Sequence, residues 1–117
     1  MSVRRVASKY GAKKTQVDGI TFDSKAEAAR YTELKMLERA GQISKLELQP
    51  TYELAPSVIL GGRKKPALRY RADFRYTDHL GNVIVEDVKG VRTAEYQIKR
   101  HLMKFVHGID ITEISRR

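Results

Sequence analysis

Residues 69–90 read RYRADFRYTDHLGNVIVEDVKG. Tyr70, Ala72, Phe74 and Tyr76 alternate with Arg69, Arg71, Asp73 and Arg75, the two-residue period of a pleated strand. Residues 77–81 carry the Asp, His and Gly of a connecting loop. Val83, Ile84, Val85 and Val88 then form a β-branched run that fits a strand covered on both faces. Glu86, Asp87 and Lys89 stand where that apolar run should continue. Side chains two apart share a face, so Asp87 and Lys89 point one way and Glu86 the other. Asp73, near the end of the neighbouring strand, is placed to meet Asp87 across the pair. Two carboxylates and an ammonium then gather at one end of a small sheet, which is costly unless the charges pair or bind a metal.

Composition bounds what such a sheet belongs to. At 117 residues the chain has the length of one domain, enough for one sheet and two or three helices. Lys and Arg number 23 against 14 Asp and Glu, a net charge of +9, which points to a polyanionic partner, nucleic acid being the commonest. The absence of cysteine excludes disulfides and thiolate metal sites and fits a reducing compartment. No apolar stretch approaches the roughly 18 residues of a membrane span. Arg4 and Arg5 are followed by no apolar segment, so no secretory signal is expected, and the expected location is the cytosol.

The rest of the chain builds around that centre. Residues 1–17 hold Arg4, Arg5, Lys9, Lys13 and Lys14 with no acidic residue before Asp18. They read as a flexible basic arm that gains order on a phosphate backbone, or as a solvated tail. Asp18-Gly19 is a tight-turn pair between short apolar flanks. A helix is expected from about Ser24 to Ala40, closed by Gly41. Its inward stripe is Glu27, Arg30, Tyr31, Leu34 and Leu37, with Ala26 at the edge. Lys25, Ala28, Thr32, Lys35 and Arg39 fall opposite. Ser24-x-x-Glu27 is also a capping box, which gives the inward Glu27 a plain structural explanation.

Residues 46–54 alternate as a strand in which Pro50 implies an edge position or a break. Residues 56–66 read as a loop whose tip, Gly61-Gly62-Arg63-Lys64-Lys65, is mobile and basic, either a DNA-backbone contact or an ordinary solvated loop. Thr93 can cap a second helix that runs to about His107 and ends at Gly108, with Ala94, Ile98, Leu102 and Phe105 as its core stripe. Residues 109–114 give a last short strand. The order is α-β-β-β-α-β, an α/β (α+β) fold in which 18–117 form a single domain. His79, His101 and His107 are scattered and read as non-catalytic, and without Cys or a paired His motif a zinc site is not expected.

A D-x-K tripeptide alone carries little weight, since an exposed strand end with a surface ion pair contributes only about 0–1 kcal/mol. Here an Asp at a matching place on the preceding strand, the apolar run that D-x-K closes, and an inward Glu upstream add to it. Together they resemble the PD-(D/E)XK nuclease superfamily, whose core is a helix, a three-stranded meander, a helix and a further strand. More narrowly, KYGAKKTQVDGITFDSKAEAARYTELKMLERAGQI, LELQPTYEL, YRADFRY and VEDVKG resemble small phage proteins related to Holliday-junction resolvases. The likeness covers about residues 9–106. One departure is Ala72 in place of the proline of the superfamily's name.

The resemblance implies an αβββαβ restriction-endonuclease-like core and a set of roles. Asp73 and Asp87, with the Val88 carbonyl, are expected to bind Mg²⁺, with Mn²⁺ as substitute. Lys89 is expected to orient the attacking water, and Glu27 to serve as an accessory ligand or to hold a second metal. That moves Glu27 towards the active site without excluding the cap. Magnesium suits this set, because it takes oxygen ligands, often one or two carboxylates plus water and substrate phosphate. Lys9, Lys13, Lys14, Arg63, Lys64, Lys65, Arg71, Gln97 and Lys99 are the expected DNA contacts. Gln97 and Lys99 also read as a solvated helix flank.

The expected activity is Mg²⁺-dependent endonucleolytic cleavage of branched DNA by a homodimer in phage replication or recombination, in the bacterial host cytoplasm. Nicking or restriction-type cleavage is the alternative within the enzyme class. A catalytically inactive basic nucleic-acid-binding module is the alternative outside it, and would leave Asp73, Asp87 and Glu27 unexplained.

Overall fold

The 69–76 stretch is not one strand. In the computed structural model, which describes residues 14–115, it divides into β7 (Leu68–Arg71) and β8 (Phe74–Asp78), with Ala72 and Asp73 at the break. Its partner breaks at the same level, into β3 (Ile43–Leu48) and β4 (Thr51–Ala55). Pro50 cannot donate to a ladder, and Gln49 takes a left-handed φ of 53°. Pro50 thus marks a break, one of the two outcomes expected for it. Backbone bonds from Gln49 to Asp73 O (2.9 Å) and from Ala72 to Pro50 O (3.0 Å) hold the two kinks together.

The kink changes which core each half serves. Tyr70, Ala72, Phe74 and Tyr76 are all buried, as their period requires. Phe74 and Tyr76 pack with Phe22, Tyr31, Leu34 and Val88, whereas Tyr70 and Ala72 pack with Leu54, Val85, Tyr96 and Met103. Residues that an unbroken strand would put on one face are divided between two.

The two cores lie on opposite faces of β9 (Val83–Lys89), which is buried from Val85 to Val88, so the expected two-sided cover holds. The main sheet has the order β10-β9-β8-β3, where β10 is Thr112–Ser115. β3, β8 and β9 pair antiparallel and β10 runs parallel to β9, which makes the sheet mixed. The last strand thus begins and ends later than the expected 109–114, and Ile111 is buried just before it. Among the described residues the fold is α+β with two helices, neither long and apolar enough to cross a membrane.

The helix ends follow the sequence. α1 (Lys25–Arg39) is capped by Ser24, whose Oγ accepts from the Glu27 N–H at 3.1 Å, and Gly41 (φ 77°) turns the chain after it. α2 (Ala94–His107) is capped by Thr93 and closed by a left-handed Gly108. The helix faces depart from expectation. On α1, Ala28 is buried and Leu37 is exposed. On α2 the buried residues are Tyr96 and Met103, while Ile98 and Phe105 are 62% and 80% exposed. A stripe drawn from apolar residue types discounted Tyr96. Its ring is buried because its hydroxyl donates to Glu113 at 2.6 Å.

Two hairpins complete the described residues. β1 (Thr15–Val17) and β2 (Ile20–Phe22) pair across the Asp18-Gly19 turn, so the last residues of the expected 1–17 arm form a strand. Residues 1–13 lie outside the described residues, and with them Lys9 and Lys13. The expected 56–66 loop is instead a ribbon, β5 (Val58–Leu60) against β6 (Arg63–Lys65), in which Ile59 pairs with Lys64. It prolongs the β4–β7 pair beyond Pro56 and Pro66.

Candidate active site

The break at Ala72–Asp73 lets a side chain do what a strand backbone would otherwise do. Asp73 Oδ2 accepts from the Val88 N–H at 2.7 Å, and the Asp73 N–H donates to Glu86 O at 3.1 Å. The Asp73 carboxyl also lies close enough to that of Asp87 for the two to share a proton. Burial is the main cause that pushes Asp73 above the usual carboxylate range, to about 8. The hydrogen bond to Asp87 and the charge of Asp87 add to it, the Val88 N–H opposes it, and the charge of Glu27 adds a smaller push.

Asp87 is buried, and the Tyr70 hydroxyl donates to its Oδ2. The Lys89 Nζ lies 3.4 Å from the same oxygen and 4.0 Å from the centroid of the Tyr96 ring. That position gives the ammonium a carboxylate on one side and an aromatic face on the other. Tyr70, Arg71, Lys89, Tyr96 and Lys99 line a cavity of about 360 Å³ beside the carboxylates.

Glu27 is buried at the first turn of α1, close enough to Asp73 for its charge to raise the proton affinity there. Its backbone is capped by Ser24, so half of the capping box is formed whatever its carboxylate does. Asp73, Asp87 and Lys89 therefore come together as their spacing anticipated, with Glu27, which the resemblance added, near enough to act on Asp73 by its charge. Among the described residues no three His, Asp or Glu side chains form a ready-made metal cage. What is present is the Asp73–Asp87 pair with the Lys89 ammonium beside it.

Glu86 belongs elsewhere. Its side chain is on the α1 face, 1% exposed, gripped by Arg30 at 2.8 and 2.6 Å and by the Tyr76 hydroxyl. This pairing, which the alternation of Glu86 against Asp87 and Lys89 anticipated in direction but not in partners, keeps a further buried acid away from the Asp73–Asp87 pair.

The expected DNA contacts divide. Arg71 and Lys99 border the cavity, Lys99 also pairing with Glu95 at 3.1 Å. Gln97 does not reach it and lines a separate cavity of about 270 Å³ with His101, Lys104 and Asp110. Lys14 lies beside Asp23 at 3.5 Å, and Arg63, Lys64 and Lys65 are exposed on β6. Of the histidines, His107 meets Glu53 O at 2.7 Å at the far end of α2.

A family model described as a protein of unknown function, DUF1064, matches residues 7–114. The chain belongs to the DUF1064 family. No curated protein and no solved structure matches it.

In this DUF1064 chain the site residues that sequence reasoning passed over are Tyr70 and Tyr96. Tyr70 reads only as one face of an alternating strand, and Tyr96 falls outside the expected core stripe of its helix. The available signal was chemical, since a buried tyrosine needs a partner for its hydroxyl, and Asp87 and Glu113 are those partners.

Proposed function

We propose that this protein is a metal-dependent DNA endonuclease with the site of the PD-(D/E)XK superfamily, acting on branched DNA as a homodimer. The observation that carries the reading is the Asp73–Asp87 carboxyl pair with Lys89 Nζ 3.4 Å from Asp87, next to a cavity that Tyr70, Arg71, Lys89 and Lys99 help to line. The order α1, β3–β4, β7–β8, β9, α2, β10, with the acids at one end of the central strands, supports it.

The donor set fits a hard divalent cation. Two buried carboxyls in contact cannot both ionise cheaply, so one holds a proton until a cation replaces it. Asp73 and Asp87, with the Val88 carbonyl and Glu27 as accessory, would hold Mg²⁺ or Mn²⁺. Such an ion lowers the pKa of a bound water and stabilises the charge that phosphodiester hydrolysis builds on oxygen. Asp73 would give up its proton when such an ion is held. Tyr70 aims Asp87 by donating to it. Lys89, braced by Asp87 and Tyr96, orients the attacking water and offsets negative charge on the phosphorane. Arg71 and Lys99 hold the strand's phosphates at the cavity rim.

The described residues carry one such site, whereas resolving a junction takes two symmetric nicks, which a twofold dimer supplies. The test incubates purified protein with four-way junction, flap and linear duplex in Mg²⁺, Mn²⁺ or EDTA. Metal-dependent cutting that favours the junction is expected. Undiminished cutting in EDTA, or none in either metal, overturns the nuclease reading. Equal cutting of linear duplex, or a monomer in sedimentation both free and junction-bound, overturns only the junction assignment.

A further inference from the structure

β5 and β6 form a two-stranded ribbon whose turn, Gly61-Gly62, has positive φ at both residues (57° and 78°), as a type I′ turn requires. An isolated hairpin is marginal in water. This one grows from the β4–β7 pair, and β7 carries Tyr70, the residue that donates to Asp87. From Tyr70 to Gly62 is eight residues, so at about 3.3 Å per residue the tip reaches roughly 25 Å from the cavity.

The composition of the ribbon is unusual for a surface loop. Val58, Ile59 and Leu60 are all exposed, Ile59 and Leu60 at 66% and 60%. Each is paired across the ribbon with a cation, Lys65, Lys64 and Arg63 respectively. Between Glu53 and Asp73 there is no acidic residue and there are five Lys or Arg. None of Arg63, Lys64 and Lys65 has an ion-pair partner among the described residues. Both faces of the ribbon thus present apolar side chains beside positive charge.

We infer that the β5–β6 ribbon is a nucleic-acid-reading arm, its cations on phosphates and Ile59 and Leu60 against base faces that a branch point leaves unstacked. The inference rests on the endonuclease reading for its substrate and adds what would discriminate a branch from a plain duplex. A two-stranded ribbon is narrow enough to enter a DNA groove, and apolar wedges between base steps are a general means of holding distorted DNA. The charge favours a polyanion over a second copy of this chain, which would bring the same cations to the same surface.

The test measures binding in EDTA, where no cutting occurs, with full-length wild type and the variants I59S/L60S and R63A/K64A/K65A. The substituted side chains are exposed, and an unchanged circular-dichroism melt checks folding. I59S/L60S is expected to weaken four-way-junction binding by about tenfold or more while leaving linear-duplex affinity unchanged, since contact with an unstacked base contributes on the order of 1–3 kcal/mol. It should also lose the brightening of 2-aminopurine placed at the branch point. R63A/K64A/K65A is expected to weaken both substrates and to lower the salt slope by about one unit per lost phosphate contact. Wild-type junction binding by I59S/L60S overturns the inference, as does a wild type that binds no DNA. So does a dimer that I59S/L60S makes monomeric without loss of junction binding, which assigns the face to a second copy. Binding and ribbon effects as expected, with no cutting in Mg²⁺ or Mn²⁺, sink the nuclease reading and leave the ribbon.

Discussion

The Asp73 carboxylate accepts the Val88 backbone N–H at 2.7 Å, which ties the break between β7 and β8 to the strand that carries Asp87 and Lys89. The first consequence concerns that junction. Asp73→Asn and Asp87→Asn should each abolish cleavage while DNA affinity in EDTA stays within about twofold of wild type. Lys89→Ala should cut at least a hundredfold more slowly, in the range of about 10²–10³ for losing one transition-state charge donor. Single-turnover kinetics at saturating Mg²⁺ decide this. Cleavage within a few-fold of wild type in either Asn variant removes the assigned roles.

Asp73 also sets a pH dependence. Its carboxyl titrates in the folded state at about 8, against 3.8 ordinarily, mainly because it is buried. The folded state therefore binds the proton more tightly than the unfolded state, and metal-free stability falls as pH rises from about 4 to about 8. Below that window the penalty is absent, and above it the penalty is complete. Asp73→Asn mimics the protonated form, so its Tm should match wild type near pH 4 and exceed it at pH 8 by several degrees, each kcal/mol being worth about 4–8 °C in a domain this size. Melts at pH 4, 6 and 8 in EDTA would reveal it, and a constant difference across the series would refute it.

Glu27 and Ser24 separate cap from site. Ser24 Oγ holds the Glu27 N–H, so Ser24→Ala should cost about 1 kcal/mol of stability in urea unfolding. Glu27→Gln keeps hydrogen-bonding capacity but removes the charge near Asp73, so it should remain as stable as wild type or become more stable, and lose most cleavage. A Glu27→Gln protein that melts early and cuts normally would make Glu27 a cap alone.

On the other face of β9, Arg30→Met leaves Glu86 buried with only the Tyr76 hydroxyl for company. That should cost about 3–5 kcal/mol, because an uncompensated buried charge is what remains. R30M/E86L should recover much of the loss. Denaturant titration of the two variants checks both statements, and a double variant no more stable than Arg30→Met would show that the pair has no apolar equivalent here.

Much of this was legible in the chain. Ser24, Gly41, Thr93 and Gly108 marked the helix ends because capping is a local matter of one side chain or one left-handed residue. The two-residue period put Asp87 and Lys89 on one face and Glu86 on the other, since alternation is a property of the strand itself. Pro50 signalled a break. Three things depended on the assembled molecule. The kink at Ala72–Asp73 divides Tyr70 from Phe74 between two cores, because it answers the break at Gln49–Pro50 on a neighbouring strand. The buried face of α2 follows from Glu113 and Lys89 waiting for Tyr96, not from its own apolar stripe. The proton affinity of Asp73 comes from burial by distant segments and from Asp87, fourteen residues away in sequence and in contact in space. Period and capping act over a few residues and are written in the chain. Burial and charge proximity act through space, and only the folded arrangement of this protein fixes them.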